Sequence, residues 1–468
     1  MTSISPTSKL AVLVGLTMLS WSVFFAVTYG YSFYWDDLHF IRAYSSAELL
    51  STFHGPNDPD GIETPALRPI ATLLFCLQGT IFGENVVLQR VFMAVLMGGL
   101  LWVVGLLLRQ VGMSFHHIAV VFVLFASSNV FAALMLWITL GSLILSYIFM
   151  TLSALFYLRW VDGKAAPVLV LTLGFAALTI FTREEAYTLP VALPLLWCIA
   201  SPRWTNWRRA VTGVLGVTVI LAIHFILRRI FIPGAPRVQL WAAFRLLDIA
   251  RSAWMPCGND VLGHGDKLLS CLWLLWQGFL SGLVLAFLRM SSNRSLVQFF
   301  GACALGLLLC TPALGVPRSF GIAMPTLAFF TAISLAIFEV HQLSSTIPYS
   351  QSLWRPAVLG VLVLGVALGV GGGIRRSQYM AEAVHENSVQ KVIHDGHFLF
   401  DFYPKPASVP ARRRESGLAR LGALGIQSSE DLRRLEREFK ESPDQFILNR
   451  DAKAALFLPK YGFFTQLW

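Results

Sequence analysis

Leu10–Gly30, LAVLVGLTMLSWSVFFAVTYG, followed closely by Tyr34-Trp35-Asp36-Asp37, is the stretch on which the fold turns. About twenty apolar residues are what an α-helix needs to cross a bilayer core, so it predicts a first membrane span. On its N-terminal side the nearest charge is Lys9, the run is longer than a signal-peptide core, and no small-residue cleavage site follows. It is therefore expected to stay in place as an anchor. Two adjacent carboxylates at the outer end of such a span lose solvation unless a cation, a metal or a substrate proton compensates. Asp36 and Asp37 read as a site on that ground, the alternative being a solvated pair of loop acids.

The rest of the 468-residue chain has the same character. Hydrophobic residues make up 56% and charged residues 13%, which excludes an ordinary soluble enzyme and predicts an all-α polytopic membrane protein. Apolar stretches lie near 10–30, 86–108, 115–134, 138–159, 165–182, 186–201, 209–231, 269–289, 296–314, 320–339 and 355–373. That predicts about eleven transmembrane helices, with the termini on opposite sides. Pro69–Phe82 is apolar but short, bounded by Pro69 and Gly83, and fits an interfacial or re-entrant helix within a first outer loop, 31–85.

Lys9, Arg109, Arg159, Lys164, Arg203, Arg208, Arg209, Arg289, Arg294 and Arg355 fall on one set of loops, with Asp162 as nearly their only acid. This side, with the N-terminus, is expected to be cytoplasmic. The opposite side then carries the acid-rich first loop, the turn Arg183-Glu184-Glu185, the loop 232–268, the turn at Arg318 and the C-terminal tail. Residues 1–374 form the membrane domain and 375–468 a small soluble tail, expected to be α/β. Within the tail, Ser429–Glu441 reads as a helix with Ser429 and Asp431 as capping oxygens, and 446–448 and 454–458 as short buried elements, read as strands.

The net charge of +10 is explained by basic loop ends against anionic lipid headgroups, with no nucleic-acid partner. Six scattered cysteines without CxxC spacing imply no metal cage, and only Cys257 and Cys271 share an outer loop in which a disulfide could form.

Three outer clusters carry candidate chemistry. The first loop holds Asp36, Asp37, His39, His54 and Arg68, the last just before the proline that opens the short helix. A paired, partly buried carboxylate is a better general base than a solvated one, or it can hold a divalent cation. The second cluster is Thr182-Arg183-Glu184-Glu185, and the third Pro317-Arg318. An arginine at such a depth suits a phosphate, which it binds bidentately, while the blander readings are snorkelling for Arg68 and a simple polar turn at 183–185. Arg228, Arg229, Arg237, Arg245 and Arg251, near Trp241 and Trp254, show what any interfacial segment shows, and none is singled out.

In this order along the chain, Asp36-Asp37 after a first span, Arg68-Pro69 leading to Phe82-Gly83-Glu84-Asn85, Thr182-Arg183-Glu184-Glu185 with Pro190, and Pro317-Arg318 with Pro325 resemble the GT-C superfamily of membrane glycosyltransferases. These use polyprenyl-phosphate sugars and include protein O-mannosyltransferases and lipid A aminoarabinose transferases. The resemblance covers residues 1 to about 340, and Arg183 stands where many relatives carry Lys. It implies a cell (inner) membrane enzyme that moves a sugar from a polyprenyl-phosphate donor to an extracytoplasmic lipid, glycan or protein acceptor with inversion. Asp36 would be the base, Asp37 would hold the acceptor or a metal, one or more of Arg68, Arg183 and Arg318 would face the phosphate, and Glu184, Glu185 and His54 would bind substrate. A divalent cation could share the charge stabilisation; no other cofactor is implied. The competing expectation is a transporter or lipid-carrier flippase, which would line a mid-membrane path with charges in matching halves.

Overall fold

The structure, a computed structural model, describes residues 6–28, 40–57, 66–83, 85–200, 206–232, 267–311, 323–344, 358–371 and 425–441, with a few isolated positions besides. Among them every regular element is helical. In chain order these are α1 (Pro6–Thr28), α2 (Ser46–Ser51), α3 (Pro69–Ile81), α4 (Val86–Gln110), α5 (Phe115–Ser127), α6 (Asn129–Leu136), α7 (Gly141–Val161) and α8 (Ala166–Ile180). Then come α9 (Leu189–Ala200), α10 (Trp207–Phe231), α11 (Lys267–Met290), α12 (Asn293–Leu309), α13 (Ala323–Ser344), α14 (Val358–Gly371) and α15 (Ser429–Glu441). Short 3₁₀ turns occupy Ile138–Leu140 and Glu184–Thr188.

Each apolar stretch of the sequence is occupied by helix. Length and composition single out four of these as able to cross a membrane among the described residues: Val87–Gln110, Ile138–Val161, Trp207–Phe231 and Ala323–Gln342. A fifth is added if the bent pair α5 and α6 counts as one span. Pro69–Ile81 forms the short helix expected of it, with Pro69 in its first turn, where a missing N–H costs nothing.

α7 and α13 form the inner columns, and α10 is peripheral. The inner pair carries Ser142, Ser146, Thr151, Ser153, Thr326, Thr331 and Ser334, all buried. Ser153 donates to the Thr172 carbonyl of α8 at 3.0 Å and Ser334 to the His117 carbonyl of α5 at 3.1 Å, so small polar residues tie helices together where apolar burial alone would not discriminate. α10 shows the opposite pattern to a soluble helix. Val211, Leu215, Val219, Ile223, Ile226 and Ile230 form an exposed apolar stripe along its length, while Ala210, Gly213, Val217 and His224 face the bundle. Such a stripe is stable against lipid and a liability against water.

The stretch 115–134, expected as one straight span, bends by 63° between α5 and α6. Ser128 causes it. Its backbone is extended, its hydroxyl donates to the Phe125 carbonyl at 2.6 Å and accepts from the Phe131 amide at 3.2 Å, ending one helix and starting the next. The indole of Trp21 donates to the freed Ala126 carbonyl at 2.6 Å, and Arg90 donates to the carbonyls of Met135 and Leu136 at the far end of α6.

In the tail, α15 has the expected bounds, but its cap is Ser428 rather than Ser429. The Asp431 amide donates to the Ser428 hydroxyl at 3.2 Å and the Asp431 carboxylate accepts from the Ser428 amide at 3.1 Å, a reciprocal capping box. The segments 446–448 and 454–458 lie outside the described residues. Cys271 is a free thiol within α11, so it makes no disulfide with Cys257, itself outside the described residues.

Candidate functional site

The short helix α3 is what carries the first loop onto the bundle. Phe40 packs on Phe75 with ring centroids 5.5 Å apart, and the Tyr44 hydroxyl donates to the Phe40 carbonyl at 2.8 Å. Gly79 allows the backbone of Arg42 to lie directly on the helix: a Cβ there would stand 2.2 Å from the Arg42 carbonyl carbon. Arg42 itself pairs with Glu48 of α2 at 2.9 Å.

At the start of α3 the loop meets the second cluster. Arg68, 116 residues before Glu184 in sequence, places Nε 2.7 Å and Nη2 2.5 Å from one Glu184 carboxylate oxygen. The Ile70 amide donates to the Phe181 carbonyl at 3.3 Å, so backbone as well as side chain joins the two segments. Arg183 turns to Glu185, with both contacts at 3.4 Å.

These charges lie below the rim of the bundle because α8 is short. Its fifteen residues rise about 22 Å from the turn at 162–165, against about 32 Å for the twenty-one residues of α7 beside it. The chain therefore turns at the level of Tyr147, which lies in the field of Arg183 and Glu185, roughly 9 Å short of where α7 begins. Charges held at that depth need partners, and each acid of the turn has one.

A third segment closes the cluster. His224, fully buried on α10, has Nε2 3.2 Å from the Leu67 carbonyl and Nδ1 3.2 Å from the Tyr187 hydroxyl. A carbonyl only accepts, so Nε2 carries the proton and the Tyr187 O–H donates to Nδ1. The edge of the imidazole also meets Phe181, with centroids 5.0 Å apart. Loop, turn and span are thus tied in a chain that runs Tyr187, His224, Leu67, Arg68, Glu184.

Electrostatics follow the geometry. Burial raises the Glu184 carboxyl, but the Arg68 guanidinium outweighs it through charge and hydrogen bonding and holds the pKa at about 2. Burial and the Glu184 charge push the Tyr187 phenol up, so it stays protonated as the donor the geometry requires, although Arg228 and Arg68 work against the rise.

Of the residues singled out from sequence, Arg68 and Glu184 come together as one ion pair and Arg183 and Glu185 as another beside it. His54 is exposed and sets its ring edge against Phe231 at the end of α10, 6.3 Å between centroids. Asp36, Asp37, His39 and Arg318 lie outside the described residues. Among the described residues no three His, Cys, Asp or Glu side chains gather as a metal site. The sequence reading missed Tyr187 and His224 and passed over Arg228. A lone ionisable side chain inside an apolar span was the available signal for His224.

No protein-family model and no curated protein matches the chain.

Proposed function

We propose that the protein is an integral membrane glycosyltransferase of the GT-C kind, moving a sugar from a polyprenyl-phosphate carrier to an acceptor outside the cytoplasm. One observation carries the reading: the Arg68–Glu184 pair, backed by His224 on Leu67, ties the loop that bears Asp36 and Asp37 to a recessed charged turn at one end of the apolar helices. Phe40, three residues beyond Asp37, is pinned on α3, so at most about 11 Å of chain separates Asp37 from a residue that packs on that helix. α12 ends at Leu309, and its cap residue Cys310 lies near Tyr147, with Arg318 eight residues beyond.

In this reading about eleven helices span an inner membrane with the N-terminus cytoplasmic. Sugar nucleotides are cytoplasmic, so an outward site takes its sugar from a lipid. Asp36 removes the proton of the acceptor hydroxyl or amine as that group attacks the anomeric carbon. The bond from that carbon to the phosphate oxygen breaks, and polyprenyl phosphate leaves with the electron pair, inverting the centre. Asp37 orients the acceptor or a divalent cation, and Arg183 and Arg318 face the phosphate, whose charge is the main demand on the site. Arg68, with both its contacts on Glu184, holds the loop in place. In cells whose envelope glycans are profiled, Asp36→Asn should abolish one modification at normal protein level; an unchanged profile for both Asp36→Asn and Asp37→Asn would remove the catalytic reading.

The bend at Ser128 favours a second reading, a transporter or flippase, because discontinuous helices inside a membrane commonly line substrate paths. Uptake of a polyprenyl phosphate into proteoliposomes without a new glycosidic bond would establish it.

A further inference from the structure

One cation in the cluster has no acid. Among the described residues Arg68 is matched by Glu184 and Arg183 by Glu185, whereas no carboxylate pairs with Arg228. Its position is not that of a snorkelling side chain. Arg228 lies one turn beyond His224, on the stripe of α10 that faces the bundle, and is half-buried. Arg229, about 100° further round, is exposed and takes the ordinary interfacial place. The Arg228 guanidinium instead hydrogen-bonds the Tyr187 hydroxyl, which in turn donates to His224, and this neutral partner leaves its charge unmatched.

An arginine held this way presents a preorganised fork with unmatched charge, the geometry that takes a phosphate bidentately. Phe225, one turn before Arg228 and about 60° from it round α10, is exposed and sets an apolar surface beside the guanidinium on which the chain of a lipid can lie, whereas Ile223, Ile226 and Ile230 are on the opposite side of the helix. We propose that Arg228 is an anion-binding group of this site and that its ligand is the phosphate of a membrane lipid whose chain packs beside Phe225. This rests on the lipid-phosphate donor reading and adds to Arg183 and Arg318 a phosphate contact at a residue that the sequence alone does not single out.

The test measures binding of a polyprenyl monophosphate, and separately of inorganic phosphate, to the purified full chain in detergent by native mass spectrometry. Wild type should bind the polyprenyl phosphate. Arg228→Gln should weaken it roughly ten- to hundredfold, the effect of losing a charge-assisted hydrogen bond, with Arg228→Lys intermediate and Arg229→Gln unchanged. The thermal midpoint of Arg228→Gln should match wild type, showing that the variant is folded. Equal binding by wild type and Arg228→Gln would overturn the assignment of Arg228 and leave the glycosyltransferase reading standing. Binding of inorganic phosphate alone, lost in Arg228→Gln, would keep the anion site and overturn the lipid as its source. Binding of neither ligand by wild type would overturn both the inference and the reading it rests on.

Discussion

At the scale of single residues, the Arg68–Glu184 contact dominates this end of the molecule. Removing one member of a buried pair leaves the other charge uncompensated, so Glu184→Gln should lower stability by about 3 kcal/mol, read from denaturant unfolding in detergent. The double variant Arg68→Met with Glu184→Gln should recover part of that loss, because no lone charge remains. The pH dependence has a defined sign. The Glu184 pKa falls from an ordinary 4.5 to about 2 on folding, so its contribution is complete above pH 4.5 and disappears as pH drops toward 2. Thermal midpoints measured across that window should fall for wild type and fall less for Glu184→Gln. The types of these residues were plain in the sequence. Their pairing was not, since Arg68 had two acids in reach, Glu184 and Glu185, and nothing in the local spacing chooses between them.

At the scale of elements, helix lengths and close approaches decide where the chemistry stands. The turn at Arg183–Glu185 reads from sequence as a surface reversal, and the short rise of α8 draws it inward. Gly79 has a comparable role for the first loop. A methyl group at this position would displace the Arg42 backbone, so Gly79→Ala should destabilise by about 1–3 kcal/mol and speed hydrogen exchange across 40–44. A variant that left both unchanged would show that the loop does not rest on α3. The break at Ser128 also escaped the sequence reading. The apolar run is interrupted there only by Ser127-Ser128-Asn129, too short a polar stretch to end a span by hydropathy, and the Ser128 hydroxyl, bonded in both directions, marks the end of one helix and the start of the next.

At the scale of the whole molecule, the exposed apolar stripe on α10 and the separation of basic turns from the paired cluster both suit a protein solvated by lipid. The proposed orientation makes a direct expectation. In a cysteine-free background, an impermeant maleimide applied to intact cells should label His54→Cys, whereas Lys164→Cys should react only after permeabilisation. The reverse pattern would invert the topology and place the candidate site in the cytoplasm.

The sequence by itself determined that the apolar runs are helical and which loops carry charge, because these depend on composition and on the length of apolar runs. The tertiary structure alone decided that Glu184 rather than Glu185 meets Arg68, that His224 reaches Leu67 across 157 residues, and that Arg228 pairs with no acid among the described residues. Those outcomes depend on how far each helix rises and which faces pack, and hydropathy, which is nearly uniform along such helices, does not encode them.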